Sequence, residues 1–259
     1  MPSYSVRRFE KDGIDRALPV SISGNSCLDI TQEAWISEET DGIIRKEHPS
    51  FDPQEPRSHL AQEFPELYRD IRRAVRLNQA EEIFSLHADD DKQREGGPRT
   101  SVMNYLIMNE GLRSDGWAIA ESPKKEGLTK RLGYSPGEKG VLNKNQCVFR
   151  HRDVKVEVDA RKEGCLAEIQ FGNSANMKEN VAYQFQLASC AEPTAIDAAV
   201  MIVPSSEFSR YVSHNTANFD NTSKYLGACW DLADSDYRVG TTVLGMGFEE
   251  SDQAQLEDY

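Results

Sequence analysis

No run of eighteen apolar residues occurs in the 259-residue chain, so no segment is expected to cross a bilayer as a helix. The first ten residues carry Arg7 and Arg8 and lack the apolar core of a secretory signal, which points to a cytoplasmic protein. Cysteine is sparse. Cys27, Cys147, Cys165, Cys190 and Cys229 are scattered, odd in number and without a CxxC pair. That pattern argues against a disulfide framework or a structural zinc site and predicts buried free thiols. There is no internal repeat. What remains, 38% hydrophobic and 28% charged residues, is the composition of a globular protein.

Basic charge is also in short supply: the net charge is −13. An acidic chain is a poor first candidate for a nucleic-acid partner, but the charge is unevenly placed. From Glu121 to Glu163 eleven Lys/Arg face seven Asp/Glu, while Gly247 to Tyr259 holds five acids and no base. Arg69, Arg72, Arg73 and Arg76 recur at helical spacing, as a basic stripe or an ordinary solvated face would. An acidic shell around a DNA site predicts weak non-specific binding with a strong dependence on salt.

Residues 1–58, with prolines at 49, 53 and 56, read as an irregular N-terminal extension with little core of its own. Phe64-Pro65 opens a predicted helix running to about Phe84, proline being tolerated in a first turn. A second helix is predicted from about Ser101 to Arg113, and Gly- and Pro-rich residues 122–145 as a long loop. In Asp153 to Asp159 valines alternate with charges, the period of a strand with one buried face. Ala160 to Gly164 reads as a turn and Cys165 to Asn173 as the partner strand, with Leu166, Glu168 and Gln170 on one face. A helix near 174–191, a strand at Ile196 to Val203, a helix near Asn221 to Cys229 and a strand at Thr241 to Phe248 complete an α/β pattern.

The chemistry concentrates in that hairpin. Asp159 and Glu168 are placed to meet across the strand pair, where two carboxylates repel each other unless a cation intervenes. Magnesium favours a few carboxylate oxygens together with water and substrate phosphate, and the carbonyl of Ile169 can add a ligand. Gln170 projects from the face of Glu168, where its amide can orient an attacking water but cannot supply a lysine's charge. Taken alone, the pattern D-x8-E-x-Q also suits a solvated cross-strand acid pair.

The surrounding residues add a resemblance. The run from Asp159 through Glu168-Ile-Gln170-Phe-Gly-Asn173 resembles the active-site hairpin of the BglII family of type II restriction endonucleases, a PD-(D/E)xK branch with glutamine in place of the usual lysine. Phe64 to Ile71, Asn104 to Trp117, Ile196 to Pro204, the Ser/Asn loop and the last strand follow in the family's order. The resemblance implies a restriction endonuclease-like α/β fold, a central mixed sheet flanked by helices, over residues 59–250, with 251–259 an acidic tail. It implies that Asp159, Glu168 and the Ile169 carbonyl bind Mg2+ and that Gln170 takes the catalytic lysine's place. Asn173 would read a base, its amide suiting the N6/N7 edge of adenine, and Ser213, Asn215 and Thr216 would form a second base-reading segment. The implied partners are duplex DNA carrying a short palindrome with a GATC core, a second copy of the chain, and a protective DNA methyltransferase in the same cell. The first sixty residues and the long 122–145 loop depart from the family pattern. The rival from another class is a catalytically silent DNA-binding protein on the same fold.

Other signals have plainer readings. His151-Arg-Asp153 imitates a kinase catalytic loop, but Val158 stands where its asparagine belongs. Glu157 reads as a neighbouring acid or a solvated strand residue, and Glu110 as a surface group. Cys190 and His214 have nothing to orient them as nucleophile and base. Trp117 and Trp230 read as core anchors.

Overall fold

The computed structural model describes residues 4–9, 15–20, 26–36, 43–47, 58–83, 100–120, 144–171, 183–212, 217–232 and 239–248. Its centre is a mixed seven-stranded sheet. In chain order the strands are β1 (Tyr4–Phe9), β2 (Asp15–Val20), β3 (Asp29–Ile36), β4 (Ile44–Glu47), β5 (Ala118–Ile119), β6 (Val148–His151), β7 (Val154–Glu157), β8 (Ala160–Lys162), β9 (Cys165–Ile169), β10 (Ala198–Pro204) and β11 (Gly240–Gly247). The large sheet runs β4-β3-β11-β10-β9-β8-β5, while β1-β2 and β6-β7 form separate two-stranded ladders. β10 pairs in parallel with both β9 and β11, and the outer pairings are antiparallel.

The central strands are apolar because both faces are covered. Ala198–Pro204 is buried at every position, the continuous run expected of a parallel strand between layers. Leu244, Ile202, Ile169 and Ala167 face one core cluster, and Val243, Met201 and Leu166 the other. The first cluster is capped by helices α1 (His59–Glu63), α2 (Pro65–Arg76), α3 (Ala80–Ile83) and α4 (Thr100–Tyr105). The second includes residues of α5 (Phe185–Ala191) and α7 (Phe219–Leu232); α6 (Ser209–Val212) follows β10. This is the mixed sheet with flanking helices that the sequence predicts.

α2 begins on Pro65, places Glu66 in its first turn and Arg73 and Arg76 in its last, and buries Leu67, Ile71, Ala74 and Val75. It ends at Arg76 rather than near Phe84, because the chain breaks at Leu77 and restarts at Ala80. The Arg stripe on α2 is committed to ion pairs. Arg72 and Arg76 both hold Asp29 at 2.7 Å, Arg73 pairs with Asp70 and Asp115, and Arg69 with Glu66. The second helix is also not uniform. After α4 the turns widen to a π-helix over Leu106–Gly111 and tighten to a 3-10 turn over Leu112–Asp115. A Cβ on Gly111 would collide with Ala74, so glycine allows this segment to lie against α2.

Residues 1–58 are not uniformly irregular. Asp29–Ile36 is an almost wholly buried strand hydrogen-bonded to β11, deep in the main sheet. Its buried Gln32 Oε1 accepts from the Ser206 N–H, and Glu33 lies beside Tyr68 on α2, whose hydroxyl it helps keep from ionising. Residues 122–143, most of the long loop, lie outside the described residues. No helix among the described residues is long and apolar enough to cross a membrane. All five cysteines are free thiols, with Cys147 and Cys165 fully buried.

Candidate active site

The hairpin that brings the two acids together is β8–β9, shorter than the sequence suggests. Ala160 pairs with Ala167, Arg161 with Leu166 and Lys162 with Cys165, so the turn is Glu163-Gly164. The valine-alternating stretch does not pair with this strand. Val154–Glu157 folds back on Val148–His151 instead. Alternation gave the buried Val156 and Val158 but not Val154, which is exposed, and it carries no information about the partner. The imitation kinase loop, His151 to Asp153, is the tip of this β6–β7 hairpin.

The β8–β9 register, extended by one pair, sets Asp159 opposite Glu168. Backbone bonds brace Asp159: Val158 N–H donates to the Cys147 carbonyl at 3.0 Å, and Ala120 N–H to the Asp159 carbonyl at 2.9 Å. Its Oδ2 accepts from Ile169 N–H at 2.9 Å. The Asp159 and Glu168 carboxyls are hydrogen-bonded to each other, and Glu168 also accepts from the Asp159 backbone N–H. Two carboxyl groups can share such a bond only by holding a proton between them.

Electrostatics follow from that geometry. Glu168 is 5% exposed. Burial, then the Asp159 charge and their shared bond, hold its carboxyl well above the usual carboxylate range. Asp159 retains some surface, yet its carboxyl is enclosed by protein. Burial pushes it up, the bonds from Ile169 and Glu168 pull it down, and the Glu157 charge adds to the rise. A divalent cation relieves this repulsion more completely than a proton, and two carboxylates with a backbone carbonyl suit a hard ion. The Ile169 carbonyl is on the correct side. Gln170 N–H donates to Ile202 on β10 at 2.9 Å, so the carbonyl of that same planar peptide points the opposite way, toward Asp159. Among the described residues no three His, Cys, Asp or Glu side chains converge as a metal set; a hard ion held by few carboxylates commonly completes its shell with water and substrate phosphate.

Gln170 is half-buried at the end of β9, on the Glu168 face by alternation. Glu157 is close enough to raise both acids, whereas Glu110 accepts a hydrogen bond from the Tyr105 hydroxyl. Asn173, Ser213, Asn215 and Thr216, with His214, lie outside the described residues. Trp117 is a core residue whose Nε1 donates to Asp70, while nothing is described of the Trp230 side chain.

Sequence reasoning missed a polar node on the opposite face of the hairpin. Lys162 Nζ donates to Asp70 Oδ2 at 2.7 Å and to the Asp115 carbonyl at 2.8 Å, and Arg73 bridges Asp70 and Asp115. The node ties β8, only three residues long, to α2. Asp70 and Lys162 are 92 residues apart, so no local signal announces them.

The model of the family "Restriction endonuclease BglII/BglIII" matches residues 54–229, well over half of the chain. No curated protein matches it. A crystal structure of restriction endonuclease BglII complexed with a DNA 16-mer aligns at a TM-score of 0.43 and 16% identity, covering 73% of this chain and 74% of that one. The extent of the family match decides the matter: this chain belongs to the BglII/BglIII restriction endonuclease family and is a type II restriction endonuclease, a hydrolase acting on DNA.

Proposed function

We propose that the chain hydrolyses one phosphodiester bond in each strand of duplex DNA at a short palindromic site with a GATC core, using Mg2+, as part of a restriction-modification system. The observation that carries this reading is the buried pair Asp159 and Glu168, opposed across the β8–β9 hairpin beside Ile169 and Gln170. Asp159, Glu168 and the Ile169 carbonyl would hold the magnesium ion. When bound, it supplies positive charge to the scissile phosphate and acidity to water. To hold the ion both carboxyls would have to be ionised. Gln170 orients the attacking water through its amide, and being neutral it adds no charge of its own. Asn173, Ser213, Asn215 and Thr216 read base edges, and two copies of the chain meet the two half-sites of a symmetric target. The protein acts in the prokaryotic cytoplasm, and a methyltransferase modifies the same site in the same cell.

The test is digestion of phage DNA by the purified protein with and without Mg2+. Discrete bands that disappear on chelation, with fragment ends mapping to one palindrome, are expected. A smear would overturn site specificity, and intact DNA with a retarded gel band would favour the silent binder.

A further inference from the structure

We propose that the β6–β7 hairpin grips the phosphate backbone of DNA beside the scissile bond, through Arg150, Arg152 and Lys155. The inference rests on the DNA-cleaving reading above and adds a contact surface to that site.

Three observations carry it. First, Arg150 and Lys155 are directly opposed across the ladder, and both are exposed. Like charges opposite one another destabilise a strand pair, and this ladder is only four residues long on each strand. Among the described residues no hydrogen bond or ion pair engages Arg150 or Arg152, and Lys155 reaches Glu157 only at 3.5 Å. A polyanion would turn this repulsion into attraction.

Second, the tip is strained in order to present its side chains. Arg152 and Asp153 both have positive φ, 46° and 66°. A two-residue turn of that hand favours Asn-Gly, yet here it displays an arginine, exposed and with no packing to demand it. Broken local rules at exposed positions mark function more often than fold.

Third, the hairpin leads into the catalytic acid. Val156 is buried, so Lys155 and Glu157 fall on the outward face of β7, and two residues after Glu157 the chain bends at Asp159. At ~3.3 Å per residue, Lys155 lies at most roughly 13 Å and Arg152 roughly 23 Å from Asp159 along the chain. Both are within one ~34 Å turn of a duplex held at the acids. Asp153 and Glu157 share the hairpin and face the same backbone, which keeps the grip weak and dependent on salt. The inner side is spent on packing: Phe149 and Val156 belong to the core, and Arg161 sits over the Phe149 ring.

The experiment uses the full chain, with EDTA to prevent hydrolysis, and a fluorescent duplex of about 30 bp of arbitrary sequence, titrated between roughly 50 and 200 mM KCl. Each phosphate contact contributes ~0.9 to the slope of log affinity against log salt. Replacing all three residues (Arg150→Gln, Arg152→Gln, Lys155→Gln) should flatten the slope by about 2–3 and weaken binding at least ~10-fold in the lower half of that range. Arg152→Gln alone, at the solvent-exposed tip, should flatten it by about 1 and serves if the triple variant does not fold. The pair Arg150→Lys with Arg152→Lys should keep the wild-type slope. A slope unchanged in Arg152→Gln and in a folded triple variant overturns the proposal. Wild-type cleavage of phage DNA in Mg2+ separates the two failures. If wild type cuts while the slopes agree, only the hairpin assignment falls; if wild type neither binds nor cuts, the nuclease reading itself falls.

Discussion

Replacing Glu168 with glutamine should make the metal-free protein more stable at alkaline pH while abolishing its response to divalent cations. The carboxyls of Asp159 and Glu168 both have proton affinities raised by burial, and in Glu168 the Asp159 charge adds to the effect. A carboxyl raised in the folded state binds its proton more tightly there than in the unfolded chain. Its stabilising contribution is complete below the ordinary carboxylate range and is lost as pH rises through the raised value. Each tenfold excess of proton affinity in the fold therefore amounts to ~1.4 kcal/mol withheld from the metal-free protein once the pair ionises. Glutamine keeps the shape and the shared hydrogen bond without the charge. For a chain of this size ~1.4 kcal/mol corresponds to roughly 3–6 °C in melting temperature. A cation at tenfold its dissociation constant adds a similar ~1.4 kcal/mol to wild type, and more at pH 8 than at pH 5, because protons compete for the same oxygens. The assay is thermal unfolding across pH, with and without Mg2+ or Mn2+. If Glu168→Gln melts below wild type at pH 8 without metal, or still shifts on adding cation, the pair is not the ion's site and the reasoning fails.

Other perturbations probe the framework. Asp70→Ala strands Lys162 and the Trp117 Nε1, so about 2 kcal/mol of stability should be lost in urea unfolding, discounted for the partly exposed Lys162 and Arg73. Burial pushes the Asp29 carboxyl up, but its bonds from Arg72 and Ile30 and the Arg76 charge outweigh this and hold it below the usual range. Its contribution is therefore present above that range and lost as pH falls through the lowered value. Asp29→Asn should cost about 1–2 kcal/mol at neutral pH, the arginines being half-exposed, with the difference shrinking in acid. Gly111→Ala drives a methyl into α2 at Ala74 and should cost about 1–3 kcal/mol, read by thermal unfolding.

The legible parts of the fold were those where one physical signal dominates. β10 and β11 are apolar because they are covered on both faces, and runs of that kind stand out in any sequence. Cys165 to Phe171 revealed its faces through alternation, and the meeting of Asp159 with Glu168 followed from a short turn. The hidden parts have identifiable causes. Asp29–Ile36 escaped notice because Gln32 and Glu33 are buried with polar partners contributed by distant segments, which erases the hydrophobic pattern. The arginines of α2 read equally as a basic stripe or a solvated face, because two of the acids that pair with them, Asp29 and Asp115, lie far along the chain. The π-helical turn at Leu106–Gly111 breaks the 3.6-residue period only slightly. The β6–β7 hairpin was concealed because Arg152-Asp153 replaces the Asn-Gly that would have announced its turn.

The central claim, that Asp159 and Glu168 act as one unit in DNA cleavage, is tested most directly by single-turnover digestion of a mapped substrate with saturating Mg2+. Asp159→Asn, Glu168→Gln and the double variant should each lose at least ~1,000-fold in rate, the double losing little more than either single, with circular dichroism unchanged. A folded Asp159→Asn protein that cleaves at the wild-type rate would contradict it.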